Sequence, residues 1–276
     1  QHHTTCRRQR QMCIRDRARE MVRKYLQERN DRKRQQLWVR INPLDTELSL
    51  PDLAAVMPGA PDGICLPKVY SAKDVNKLAN YLSALEAREG LEIGATKILV
   101  VATETAASLL SFHTYLEGVT DRMTAITWGA EDLSAALGAS DNMHASSGGY
   151  DDPYLMAKSL CLAAARALDV QPVGVVYVNY QDMDGLSTDC LNDRKTGFIG
   201  KIAIHPAQAE VINTAFTPSD EEMKYAERVG AVFEQNPGVG VVGLDGKMLD
   251  MPHLKQAKNL LSLAAEIAQR ENTYIS

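Results

Sequence analysis

The chain predicts an α/β fold of the TIM (β/α)8-barrel type from which two βα units are absent. Three observations carry this expectation. Short apolar runs alternate with amphipathic helical patterns along the 276 residues, the signature of βα units around a parallel sheet. The C-terminal ends of those runs collect Arg40, Lys68, Glu104, Asp132, Asn179 and His205, and barrel enzymes draw their active-site groups from that rim. No G-x-G-x-x-G or G-x-x-x-x-G-K-[ST] loop directly follows any expected strand, so the competing open doubly wound sheet lacks its phosphate-binding turn.

In chain order, strands are expected at 37–42, 63–67, 97–103, 125–128, 174–180 and 200–205. The third is continuously apolar and β-branched, as a strand buried on both faces should be. A helix is expected over 71–88, started by Ser71 and Asp74 and buried through Val75, Leu78, Leu82 and Leu85. The polar stretch 138–152, with Ser146-Ser147-Gly148-Gly149, reads as a mobile loop over the site, with a plain surface loop close behind. After the sixth strand the alternation stops. Ser219 and Glu222 form a capping box for a helix bearing Met223, Ala226 and Val229, and a Gly-rich segment, 238–246, follows. Asp250 then precedes Pro252, which opens a last helix with Leu254, Ala257, Leu261 and Ala264 on one face. The expected organisation is a non-native N-terminal segment at 1–17, a barrel domain at 18–215 and a C-terminal extension at 216–276.

With 45% apolar and 24% charged residues the composition is that of an ordinary globular chain. A net charge of −5 gives no electrostatic case for nucleic acid. No apolar run approaches the roughly 20 residues that cross a bilayer. Five cysteines without paired spacing argue for a reducing compartment, with Cys65, Cys161 and Cys190 as reduced thiols, so a cytoplasmic location is expected.

Glu104 and Asp132 each follow an apolar run, 97–103 and 125–128. Two carboxylates on one rim, completed by water and substrate oxygens, suit Mg²⁺ or Mn²⁺, which prefer hard ligands. The alternative is that both acids merely cap the helices that follow.

The chain resembles the CoA-ester lyase branch of the HpcH/HpaI aldolase/citrate lyase superfamily, which holds citrate lyase β subunits and malyl-CoA and citramalyl-CoA lyases. The resemblance runs from about Ala18 to Arg270 and rests on six motifs in order. They are Val39-Arg40-Ile41-Asn42-Pro43, Leu66-Pro67-Lys68, Glu104-Thr105-Ala106, Trp128-Gly129-Ala130-Glu131-Asp132-Leu133, Gly197-Phe198-Ile199-Gly200-Lys201 with Ile204-His205-Pro206, and Asp245-Gly246-Lys247-Met248-Leu249-Asp250. It implies a barrel of the phosphoenolpyruvate/pyruvate type, Mg²⁺-dependent cleavage of a carbon–carbon bond in a short 3-hydroxyacyl-CoA dicarboxylate, and a homotrimer or hexamer. By resemblance, Glu104 and Asp132 are the metal ligands, and Arg40 faces the thioester carbonyl. Asp250 is the acid delivered into a neighbouring subunit's site, and Arg40, Glu104 and Lys68 meet the substrate.

Plainer readings stand beside these. Arg40 reads also as a structural ion-pair partner, Lys68 equally as a solvated rim charge, and His205 better as a hydrogen-bonded structural residue than as a base. Asp250 reads also as a cap for the helix near Pro252, and Asp182 and Asp184 equally as turn formers. A class II aldolase acting on free 4-hydroxy-2-oxo acids, or a non-catalytic acyl-CoA-binding subunit, are the alternative functions. The family's usual first strand and second-strand acidic motif do not occur before 18–26, which resembles the helix that follows that motif, so the resemblance implies a barrel missing its first two strands. In their place stands the basic segment 1–17, in which Met12-Cys13-Ile14-Arg15-Asp16-Arg17 matches the translation of a transposon end used to prepare sequencing libraries. A basic targeting peptide is the alternative there.

Overall fold

The structure, a computed structural model, describes residues 2–29, 31–32, 35–143 and 149–275. Helix α1 (His2–Glu28) leads to strand β1 (Trp38–Arg40) and α2 (Ser49–Val56). Then come β2 (Gly63–Leu66), α3 (Ala72–Glu89), β3 (Lys97–Val101), α4 (Ala106–Leu110), β4 (Met123–Thr127) and α5 (Ala130–Leu137). The barrel units end with α6 (Asp152–Ala167), β5 (Gln171–Gly174), α7 (Met183–Thr196), β6 (Gly200–Lys201) and α8 (Gln208–Phe216). The rest is α9 (Asp220–Gln235), a hairpin of β7 (Val241–Leu244) and β8 (Lys247–Asp250), and α10 (Met251–Ile275).

Strands β1 to β6 pair in sequence order and are all parallel, a curled half-barrel of βα units. Side chains alternate along such strands. Ile64, Leu66, Ile98 and Val100 are 0–1% exposed beneath the helices, whereas Cys65 and Leu99 between them are only half-buried on the inner face. Helix α3 starts and stops on local chemistry. Ser71 and Asp74, the expected helix start, form a capping box, and Gly90, in left-handed backbone at φ 69°, ends it. Its stripe of Val75, Leu78 and Leu82 is fully buried, each leucine contributing about 1.5–3 kcal/mol relative to exposure. Helix α1 runs unbroken through the basic segment expected to be non-native. Its C-terminal half is anchored by buried Leu26 and by Arg19, which pairs with Asp52 at 2.8 Å.

Two strand readings need correction. The fifth strand is Gln171–Gly174, not 174–180. Pro172 disguises it, since proline cannot donate to a ladder, yet its carbonyl accepts from the Ile199 N–H at 3.0 Å. The sixth strand is only Gly200–Lys201. Of the expected loop at 138–152, residues 144–148 lie outside the described residues.

The C-terminal elements form a second apolar cluster of Ala226, Val229, Phe233, Val242, Leu249, Leu254 and Ala257. The Gly-rich segment holds the β7–β8 hairpin, which turns at Asp245 and Gly246 with φ of 51° and 75°. Positive φ at both central residues is the two-residue turn that Asp-Gly favours.

Candidate active site

The sheet brings four of the expected residues together. Arg40 closes β1, Lys68 follows β2, Glu104 follows β3, and Asp132 lies in the first turn of α5 after β4. All sit at the C-terminal ends of neighbouring strands, the functional rim of this architecture.

Lys68 links the two carboxylates. Its backbone N–H donates to Glu104 Oε2 at 2.5 Å, and its Nζ lies 2.8 Å from Asp132 Oδ1. Lys68 is one of the few non-glycine residues at positive φ, 51°. That conformation costs of order 1 kcal/mol and persists where surrounding contacts enforce it. Arg40 Nη2 stands 3.8 Å from Glu104 Oε1, with the Arg40 side chain 64% exposed.

Neither acid is spent on capping. Thr105 caps α4 by accepting from the Ser108 N–H, which leaves Glu104 free to face the rim. Gly129 makes room for it. A Cβ there would lie 2.9 Å from Glu104 Cγ, while the Gly129 N–H donates to Thr103 Oγ1 at 2.8 Å and ties the ends of β3 and β4 together.

Glu104 is 6% exposed. Burial pushes its carboxyl up, the Lys68 N–H opposes this, and the adjacent Asp132 carboxyl adds to it, so that it titrates at about 7. Asp132 is held low, chiefly by the Lys68 ammonium. A buried carboxyl that has one backbone N–H, a guanidinium 3.8 Å away and a second carboxyl beside it lacks positive charge. A hard divalent cation supplies it, so the pair fits Mg²⁺ or Mn²⁺. Among the described residues no group of three or more His, Cys, Asp or Glu side chains could hold a metal. Such an ion would take two protein carboxylates and fill its remaining positions with oxygen from water and substrate, which is the usual habit of Mg²⁺. Cys65, beside Arg40 and Glu104, is no nucleophile, because burial raises its thiol to about 11.

Other expected residues lie apart. His205 Nδ1 accepts from the Ala207 N–H at 3.2 Å and its ring stacks on Tyr180, the structural reading. Asp182 caps α7 through the Gly185 N–H and accepts from the Tyr177 hydroxyl. Asp250 ends β8, where its Oδ1 meets His253 Nδ1 at 2.5 Å. Among the described residues no hydrogen bond or ion pair joins Asp250 to Arg40, Lys68, Glu104 or Asp132. Thr103 and Thr105 are the positions that reading the sequence missed. Thr105 carries a legible signal, a hydroxyl residue three before Ser108 at a helix start; Thr103 carries none.

Comparisons with known proteins place the chain. The HpcH/HpaI aldolase/citrate lyase family model matches residues 11–206. The mitochondrial citramalyl-CoA lyase of Rattus norvegicus is 30% identical over 243 residues, covering 84% of this chain and 70% of that protein. A (3S)-malyl-CoA thioesterase of Cereibacter sphaeroides is 34% identical over 256 residues, covering 91% and 81%. Among solved structures, the Mycobacterium tuberculosis protein CitE in complex with magnesium, acetoacetate and coenzyme A is similar with a TM-score of 0.68 and 31% identity, over 83% of this chain and 78% of that one. With its half-barrel, its paired rim carboxylates and likeness of this extent, the chain belongs to the HpcH/HpaI aldolase/citrate lyase family of lyases.

Proposed function

We propose that the chain is a Mg²⁺-dependent CoA-ester lyase that cleaves a short 3-hydroxyacyl-CoA dicarboxylate of the malyl-CoA, methylmalyl-CoA or citramalyl-CoA type into an acyl-CoA and a 2-oxo acid. The observation that carries this reading is the meeting of Glu104, Asp132, Lys68 and Arg40 on one rim. The magnesium and coenzyme A bound by the M. tuberculosis relative support it.

Glu104 and Asp132 are the residues to hold the ion. Bound there, Mg²⁺ supplies a Lewis acid that lowers the pKa of a substrate hydroxyl. The hydroxyl proton passes to water, the carbon bearing that oxygen becomes the carbonyl of the 2-oxo acid, and its bond to the thioester's α-carbon breaks. The electron pair of that bond moves to the thioester as an enolate. Arg40 faces the oxygen where this negative charge gathers, and its permanent charge and rigid fork suit it to the task. Protonation of the α-carbon completes the acyl-CoA, and Asp250 from a second copy of the chain is the acid for it. The intact assembly is then a trimer or hexamer, working in the cytoplasm.

The test is a coupled assay of acetyl-CoA and glyoxylate or pyruvate release from malyl-CoA and citramalyl-CoA, with and without Mg²⁺. Metal-dependent release of both products is expected. Silence with both substrates in a folded protein would overturn the lyase reading, and free CoA in place of acetyl-CoA would favour thioester hydrolysis, the activity named for the C. sphaeroides relative. Mixing Glu104→Ala and Asp250→Ala proteins should restore activity if the site is shared. Subunit exchange without recovery would remove Asp250 from it.

A further inference from the structure

Lys68 holds the two carboxylates by different parts of itself. The main-chain N–H is committed to Glu104, while the side chain lies on Asp132. The positive φ at Lys68 fixes the first contact and leaves the second free to change. We propose that the Lys68 ammonium is a built-in counter-ion for Asp132, displaced when a divalent cation enters, so that metal binding at this rim is an exchange of one cation for another. This rests on the reading of Glu104 and Asp132 as cation ligands.

Charge balance supports the exchange. With both carboxylates ionised, as metal ligands must be, their charge is matched by one ammonium and one guanidinium, and a divalent ion added without loss would leave an excess of two positive charges in a partly buried site. Lys68 is the cation placed to leave. Its ammonium occupies a candidate ligand oxygen at 2.8 Å, whereas the Arg40 guanidinium stands off at 3.8 Å. With its side chain 44% exposed, Lys68 has solvent beside it to swing into. Its N–H on Glu104 does not move with it, so the main-chain support of the site survives. The exchange explains why a residue in a strained backbone conformation carries a long cationic side chain there, when its N–H alone would serve Glu104.

Lys68→Met separates the two roles, since it keeps the N–H and removes the ammonium. Titration of Mn²⁺ into the full chain, followed by electron paramagnetic resonance, should show about two- to fivefold tighter binding in Lys68→Met than in wild type, the range expected for loss of one partly exposed charge contact. Lys77→Met, on the same rim cleft, should bind as wild type does. Reductive methylation read by mass spectrometry should modify Lys68 faster once Mg²⁺ saturates the site. Unchanged or weaker Mn²⁺ affinity in a folded Lys68→Met, equal tightening in Lys77→Met, or labelling of Lys68 indifferent to Mg²⁺ would each overturn the exchange. A wild-type chain that binds no Mn²⁺, or binds it as well after Glu104→Gln with Asp132→Asn, would overturn the metal site itself, a distinguishable failure.

Discussion

Two glutamates are buried in this half-barrel to nearly the same degree and have opposite fates. Glu86, 0% exposed on α3, lies at the N-terminal end of β3 and β4. It receives the Arg122 guanidinium at 2.9 and 2.7 Å and backbone N–H groups from Gly94 at 2.9 Å and Thr96 at 2.8 Å. Burial alone would raise its carboxyl, yet these donors carry it down to about 2. Glu104, 6% exposed at the other end of the same strands, has one backbone N–H, a guanidinium beyond hydrogen-bond range and a second carboxylate. A saturated carboxylate is a fastener, and an undersaturated one is a binding site in waiting.

Substitutions at the two ends should therefore separate stability from function. Arg122→Ala should destabilise folding by about 3–5 kcal/mol in urea denaturation, because it strands a buried charge, while the folded fraction still binds Mn²⁺. Glu104→Gln should do the reverse, losing Mn²⁺ binding and about 10³-fold or more in turnover with stability within about 1 kcal/mol of wild type. Equal destabilisation by both would break the contrast.

The pH response sharpens it. A carboxyl whose folded pKa is depressed contributes stability above its unfolded value and loses it as pH falls through the folded one. Glu86 should thus contribute about 3 kcal/mol, present above its ordinary value near 4.5 and lost between there and about 2. Chemical denaturation across that window should show the slope, reduced in Glu86→Gln. At the rim, Arg40→Lys should cost about 10²-fold in kcat with stability unchanged, since a point charge replaces a rigid fork. The smallest effect is expected from Gly129→Ala, whose added methyl group presses on Glu104 and should weaken Mn²⁺ binding about tenfold, the scale of second-layer changes at metal sites.

Much of the molecule was legible because its signals are local. The alternation of β2, α3, β3 and β4, the Ser71 and Ser219 caps and the two rim acids each follow from a few neighbouring residues. The losses have physical causes too. Pro172 hid a strand whose carbonyls still pair, and the Asp245-Gly246 turn went unread among other glycines. The left-handed backbone at Lys68 is enforced by contacts 36 residues away in sequence, which no window of sequence contains. Asp250 is a case of another kind, since within one chain its partner is His253 and a role in catalysis would require a second copy.

The Arg122–Glu86 clasp also bears on how such a chain changes over generations. Because it fastens α3 to the starts of β3 and β4, it secures the two units whose far ends present Glu104 and Asp132, without touching either. Selection can then sample the loops of the rim with a reserve of foldedness held elsewhere. A new substrate preference would be reached through rim mutations, while drift at Glu86 or Arg122 would be purged whatever the substrate.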